Sequence, residues 1–242
     1  MHKVLHSIRD IALLLPGGEY LYRWSVNWRE SRRHKRDCRI LQMEGADLLR
    51  LVFERFNDKI PYFLTYGNLL GCVRENAFLK HDDDIDMGIM PGVRADDVIR
   101  ALEDSELKYV GSYIYKGRVT QIGYTFRKMH VDFFMYFKDG DDFNAYTCID
   151  EPGVAYGEQE SGCRLYIEPA VVGLKRVDFL GAKAYIPENA EEMLSVHYGP
   201  NWRKPDPGWV PIDIEGHYKS KMMPGTMRYA VSKEEVLKLF NA

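Results

Sequence analysis

A mixed β-sheet flanked by helices, in an α/β or α+β domain, is the architecture this sequence predicts. Three observations carry it. A helical-period apolar stripe runs through Leu41, Leu48, Val52 and Phe56, and it is followed at once by a short β-branched and aromatic run. Several alternating strand-like runs then succeed one another across short turns between about 107 and 186. Finally, 242 residues at 45% hydrophobic and 29% charged content are enough to bury a real core, which excludes a disordered chain. The net charge of −3 argues against a nucleic-acid partner gripped through its phosphates.

The elements follow in order. Val4, Ile8, Ile11, Ala12 and Leu15 stand at helical spacing, and Pro16-Gly17-Gly18 breaks that helix. The apolar run 11–15 is far shorter than the ~20 residues that span a bilayer, so neither a membrane anchor nor a secretory leader is expected. Trp24 and Trp28 precede a basic run of Arg29, Arg32, Arg33, Lys35, Arg36 and Arg39. That run is expected to be a solvated helix face, with contact to an anionic membrane or glycan as the functional alternative. A buried helix is predicted over 39–57, a strand over 60–66, and a short helix over 69–76 with Asn68 as its N-cap. A helix over 94–105 leads to three strands at 107–115, 118–128 and 130–137. Further strands are expected at 143–149, 164–167, 171–179 and 183–186, the last two as a hairpin around Gly181. A helix over 188–198 is expected to open just after Pro187. A loop covers 199–208, and a last helix over 232–240 is capped by Ser232 with Glu235 three residues on. The expected division is an N-terminal helical, basic extension over 1–38, a catalytic domain over 39–210 and a C-terminal extension over 211–242.

The most informative segment is His81-Asp82-Asp83-Asp84-Ile85-Asp86-Met87-Gly88-Ile89, four carboxylates within five residues. In a strand, residues i and i+2 share a face. Asp84, Asp86 and Gly88 therefore point one way, and Ile85, Met87 and Ile89 point into the core, with Gly88 leaving room on the acidic face. Two such carboxylates held ~6 Å apart at an effective dielectric of ~20 repel by about 3 kcal/mol. A hard dication between them, Mg²⁺ or Mn²⁺, offsets that cost. An EF-hand is excluded, because Met87 stands where its loop needs Gly and Val93 where it needs a bidentate Glu.

A third carboxylate, Asp132 in His130-Val131-Asp132-Phe133-Phe134, sits among apolar residues. Its plain alternative is an ion pair with Arg127 or Lys128; together with Asp84 and Asp86 the metal reading prevails. His130 shares the Asp132 face, and a structural role is expected for it. The turn at Gly67-Asn68 opens a helix whose N-terminus can receive an anion, with Arg74 adding a phosphate contact. Tyr62 and Tyr66 are expected to pack in the core. The four cysteines, Cys38, Cys72, Cys148 and Cys163, contain no Cys-x-x-Cys pair and are expected to be free thiols.

The run Tyr66-Gly67-Asn68-Leu69-Leu70-Gly71-Cys72-Val73-Arg74, with Phe78 and then Asp82-Asp83-Asp84-Ile85-Asp86-Met87-Gly88, resembles the LicD/fukutin-related family. His130-Val131-Asp132-Phe133-Phe134 is similar to its second acidic motif. Ile186-Pro187-Glu188-Asn189, Leu194 and Tyr198-Gly199-Pro200-Asn201-Trp202 with Pro205 are similar to its closing signature. The resemblance implies a nucleotidyltransferase-like fold. It also implies transfer of a phosphocholine- or ribitol-phosphate-like group from a CDP-alcohol donor to a glycan or lipid-linked saccharide hydroxyl, with release of CMP. On this sequence it implies Asp84, Asp86 and Asp132 as catalytic metal ligands for Mg²⁺ or Mn²⁺, and Gly67 and Asn68 as the phosphate turn. Arg74 and Asp82 fall on further motif positions. Asn68 departs from the usual Thr or Ser and His81 from the usual Trp, and no cysteine cluster matches the zinc site of some eukaryotic members. A cytoplasmic enzyme of cell-surface glycan biosynthesis is expected, peripheral at most to the membrane. Two rivals stand beside it: nucleotidyl transfer with release of pyrophosphate, and a degenerate binding module.

Overall fold

The computed structural model describes residues 18–149, 160–206 and 219–240. It is an α/β structure built on a nine-stranded mixed sheet with helices against it. The helix expected over 3–15 lies outside the described residues. Helix α1 spans Gly18–Phe56, so the stripe read over 39–57 is the second half of a longer helix that continues without a break through residue 38. Its core-facing residues Leu41, Leu48, Leu49, Val52 and Phe56 are all buried, whereas Arg32, Arg33, Lys35 and Arg36 are exposed. The basic run is a solvated helix face along those residues; the side chains of Trp24, Trp28 and Arg29 lie outside the described set.

Strand β1 (Tyr62–Leu64) pairs antiparallel with β2 (Asp84–Ile89), and helix α2 (Tyr66–Arg74) joins them. Helix α3 (Ala95–Ala101) stops earlier than expected, where Asp104 takes a positive φ of 56° and turns the chain. Strands β3 (Lys108–Tyr115), β4 (Arg118–Phe126) and β5 (Met129–Met135) form an antiparallel meander. It brings β5 parallel to β2. Strands β6 (Phe137–Asp139), β7 (Asp142–Ile149) and β8 (Glu160–Pro169) continue the sheet. Strand β8 is longer than the 164–167 expected.

Strands β9 (Leu174–Phe179) and β10 (Ala182–Pro187) form a separate hairpin, closed by Leu180 and Gly181, both at positive φ, as a two-residue turn of primed type requires. Tyr185 stacks on Phe53 and meets Tyr62 edge-on, and Phe179 meets Phe78, so the hairpin is pinned to α1 and β1. Helix α4 (Ala190–Tyr198) begins three residues later than Pro187. Pro187 does not open it, because that proline is the last ladder residue of β10, opposite Leu174.

The order across the large sheet is β1-β2-β5-β4-β3-β11-β8-β7-β6. Strand β11 (Lys219–Ala230) was not expected. Pro224-Gly225 interrupts its pattern, and the ladder absorbs them as an irregularity between Met223 and Thr226. Strand β11, which falls within the expected extension over 211–242, is thus an interior strand between β3 and β8. Helix α5 (Lys233–Lys238) follows, with Ser232 Oγ accepting from the Glu235 amide as the capping pattern predicts. Among the described residues no helix is long and apolar enough to cross a membrane.

Candidate functional site

The acidic segment folds as the alternation requires. Ile85, Met87 and Ile89 are fully buried, and Asp84 and Asp86 take the other face. The parallel register sets Asp84 beside His130 and Asp86 beside Asp132, so all four side chains stand on one face of adjacent strands. Carboxylate oxygens of Asp84, Asp86 and Asp132 lie within 4.8 Å of one another. Gly88 does not leave the expected room, because a Cβ there would collide with the Phe63 ring. Its lack of a side chain serves packing.

The electrostatics of the trio are those of carboxylates crowded together out of water. Burial, then the neighbouring Asp132, pushes the Asp84 carboxyl up to about 7. Asp86 is raised well above the ordinary range by burial and by Asp84 and Asp132. Asp82 is pushed up to about 8, by burial first and then by Asp84 and Asp83. Asp132 is only 5% exposed, its Oδ2 lies 3.2 Å from His130 Nε2, and its Oδ1 is buried without a hydrogen-bond partner. Burial alone would lower the His130 pKa; the hydrogen bond to Asp132 and the charges of Asp132 and Asp84 raise it instead. Three repelling carboxylates with one orphaned oxygen match the hard-oxygen set that Mg²⁺ or Mn²⁺ takes. The alternative pairing of Asp132 with Arg127 does not form; Arg127 binds Glu44, Asp47 and Glu106.

Asn68 does not cap α2. The helix begins at Tyr66, with Thr65 at the cap position, so Asn68 lies in its first turn, 1% exposed. There its Oδ1 accepts from the Asp86 amide at 2.5 Å, and its Nδ2 donates to the Asp84 carbonyl at 3.2 Å and to Asp82 Oδ2 at 3.4 Å. It clamps the acidic strand from the side. Gly67 is needed for a neighbouring reason: a Cβ there would collide with the Asp82 carboxylate, which lies against the start of α2. Arg74 is not directed at the trio. Its Nη1 donates to the Trp202 carbonyl at 3.1 Å, and Nε and Nη2 bond Glu75 Oε1. It therefore ties α2 to the Tyr198–Trp202 motif.

Tyr62 packs in the core as expected, and Tyr66 sits edge-on to Phe134. His34 on α1 was not anticipated, yet its Nδ1 lies 2.7 Å from Asp83 Oδ2 and brings the basic helix to the acidic segment. No local signal predicts that contact across 49 residues. His130 stands on the Asp132 face, as its position two residues earlier on the same strand predicts.

Fold and site together define an α/β protein with a three-carboxylate centre at its parallel strand pair. Residues 59–189 match the family model described as "LicD/FKTN/FKRP, nucleotidyltransferase domain". This is over half of the chain, and the chain belongs to that family. The match includes Gly67, Asn68, Arg74, Asp82, Asp84, Asp86 and Asp132. Among curated proteins, the mouse "Ribitol-5-phosphate transferase FKTN" is 20% identical over 177 residues, covering 72% of this chain and 36% of the relative. The human protein of the same name is 24% identical over 172 residues, covering 68% and 34%. The chain therefore spans about a third of the length of the curated relatives it matches.

Proposed function

We propose that this chain is a nucleotidyltransferase-fold enzyme. It transfers a phospho-alcohol group, of the phosphocholine or ribitol-phosphate kind, from a CDP-activated donor to a glycan or lipid-linked saccharide hydroxyl and releases CMP. The observation that carries the reading is the trio of Asp84, Asp86 and Asp132, half-buried to buried, whose oxygens converge within 4.8 Å with Asp132 Oδ1 unpartnered. Family membership and the likeness to ribitol-5-phosphate transferases support the reaction class.

Asp84, Asp86 and Asp132 would hold Mg²⁺ or Mn²⁺, which supplies charge neutralisation for the donor diphosphate and the leaving CMP. The acceptor oxygen attacks the phosphorus that bears the alcohol, the bond to the bridging oxygen breaks, and CMP departs with that electron pair. We assign the hydroxyl proton to Asp132, whose carboxylate His130 orients through the other oxygen. Asn68 keeps Asp84 and Asp86 in register by fixing the backbone of β2. Gly67 leaves room for the Asp82 carboxylate against the start of α2, and the amides of that first turn are where we place the donor phosphates. The reaction belongs on the cytoplasmic face of cell-surface glycan synthesis, with the N-terminal basic helix as the membrane- or glycan-facing element.

A panel of CDP-choline, CDP-ribitol and CDP-glycerol, incubated with Mg²⁺ or Mn²⁺ and scored for CMP, tests the reading. CMP release from one donor, lost in Asp84→Ala and Asp86→Ala, is the expected result. Pyrophosphate release from a nucleoside triphosphate would replace it with nucleotidyl transfer. Turnover retained in either variant would remove the trio from the mechanism.

A further inference from the structure

Beside the acidic trio lies a second buried polar cluster that none of the steps above uses. Glu168 on β8 is 3% exposed, and its Oε2 accepts from the Tyr136 hydroxyl at 3.0 Å. That hydroxyl lies 3.2 Å from Thr65 Oγ1, and the Thr65 amide donates to the Asp86 carbonyl at 3.2 Å. Each donor has an acceptor, so a directed chain runs from the backbone of the acidic strand to a carboxylate on a distant strand. Among the described residues the basic group within 4.0 Å of Glu168 is His197, its Nδ1 3.6 Å from Oε1. Burial lowers the His197 pKa against the opposing pull of Glu168, so the ring beside Glu168 is neutral near pH 7. Glu168 Oε1 is buried without a hydrogen-bond partner, which is costly to keep, and the contacts of Glu168 show what it secures.

What it secures is strained. Tyr66, the first residue of α2, holds φ at +48°, a left-handed conformation that an aromatic residue adopts only when its surroundings impose it. Thr65 is fixed on one side by Asp86 and Tyr136. The Tyr66 ring is fixed on the other by Phe134 at 5.1 Å and by His197 at 4.9 Å. Directly after it come Gly67 and Asn68, which receive Asp82 and clamp β2. The cavity between Thr65, Tyr66, Glu168, His197 and Tyr198 measures about 10 Å³, the space of one water molecule. That size excludes a substrate head group and leaves the cluster a holding role.

We propose that Glu168 is a positioning residue of the acidic site, acting through Tyr136 and Thr65 on the strained Tyr66 turn that carries Gly67 and Asn68. The inference deepens the proposed function and rests on its assignment of the trio as the working site. It is tested on the full chain with Glu168→Gln and Tyr136→Phe, both close to isosteric. Met193→Ala serves as control, since it loosens the same cavity wall without removing a bond of the chain. Two readouts are needed: hydrogen exchange over 65–71 and 84–86 in the metal-free protein, and Mn²⁺ affinity by calorimetry.

Exchange in both segments should quicken about 10-fold in the two network variants, and Mn²⁺ affinity should fall about 10–100-fold, as loss of an outer-shell partner does. Met193→Ala should lower Tm and move neither. Unchanged exchange in the network variants, an equal change in Met193→Ala, or altered exchange with unaltered Mn²⁺ affinity would each overturn the proposal. If the wild type binds no Mn²⁺, the proposed function fails, and the exchange data alone still decide whether Glu168 positions the turn.

Discussion

Two sets of three carboxylates in this molecule meet opposite fates. Glu44, Asp47 and Glu106 gather around Arg127, at 2.6 Å, 3.0 Å and 3.0 Å, on a surface where Arg127 is 43% exposed. Asp84 and Asp86, half-buried, and Asp132, buried, converge within 4.8 Å, and among the described residues their one basic partner is His130, against Asp132. The first set shares an arginine among its three carboxylates and ties α1 to the turn before β3 and the turn after β4. The second raises its own pKa values and leaves an oxygen without a partner. Among the described residues no arginine or lysine pairs with the second set. The difference separates a cluster neutralised in part by an arginine from the one we propose as the metal site.

The comparison breaks most visibly in turnover. Asp84→Ala or Asp86→Ala should each lower CMP release by at least about 10³-fold, the scale of losing a main source of transition-state charge stabilisation, while circular dichroism shows the fold retained. Next in size is the response to metal and pH. Asp84 and Asp82 hold their protons in the fold up to about 7 and about 8 against a reference of 3.8. The folded state thus binds more protons than the unfolded chain across that window. Their contribution to metal-free stability is full below pH 3.8 and is lost as pH rises through 7 and 8. Metal should reverse the trend: Mn²⁺ at about 100 times its Kd should raise Tm by roughly 5–10 °C at pH 8 and by far less at pH 5. A thermal-shift series over pH with and without Mn²⁺ checks both signs.

Asn68→Ala sharpens the contrast at the level of the backbone. It strands the buried Asp86 amide, so unfolding free energy should fall by about 1–3 kcal/mol, and Mn²⁺ affinity should drop about 10-fold, measured by denaturation and calorimetry. Arg127→Ala should do least. Its cluster is exposed, so the loss of Tm should be small and should vanish in high salt, with Mn²⁺ affinity unchanged. A large metal effect from Arg127→Ala would show that the two clusters are not independent.

The acidic strand was legible because its evidence is local. Period-two alternation in 84–89 assigns faces without tertiary knowledge, and Asp132 repeats the pattern amid Val131 and Phe133. The helix in 39–56 and the Ser232 cap are legible for the same reason. Asn68 was misread because a helix opening at a left-handed Tyr66 lies outside local propensity; the turn is fixed by Phe134, His197 and Tyr136, all remote in sequence. Strand β11 was missed because Pro224-Gly225 reads as a breaker, and only its neighbours β3 and β8 make it a strand. The destination of Arg74 was hidden likewise, since Trp202 lies 128 residues away.

The central claim is that Asp84, Asp86 and Asp132 jointly chelate a hard dication. Calorimetric titration of Mn²⁺ into the metal-free chain at neutral pH, wild type against Asp132→Asn, tests it most directly. One saturable site in the wild type, weakened at least about 100-fold in Asp132→Asn, is the predicted result. Equal affinity in the two proteins, or no saturable binding to the wild type, would contradict it.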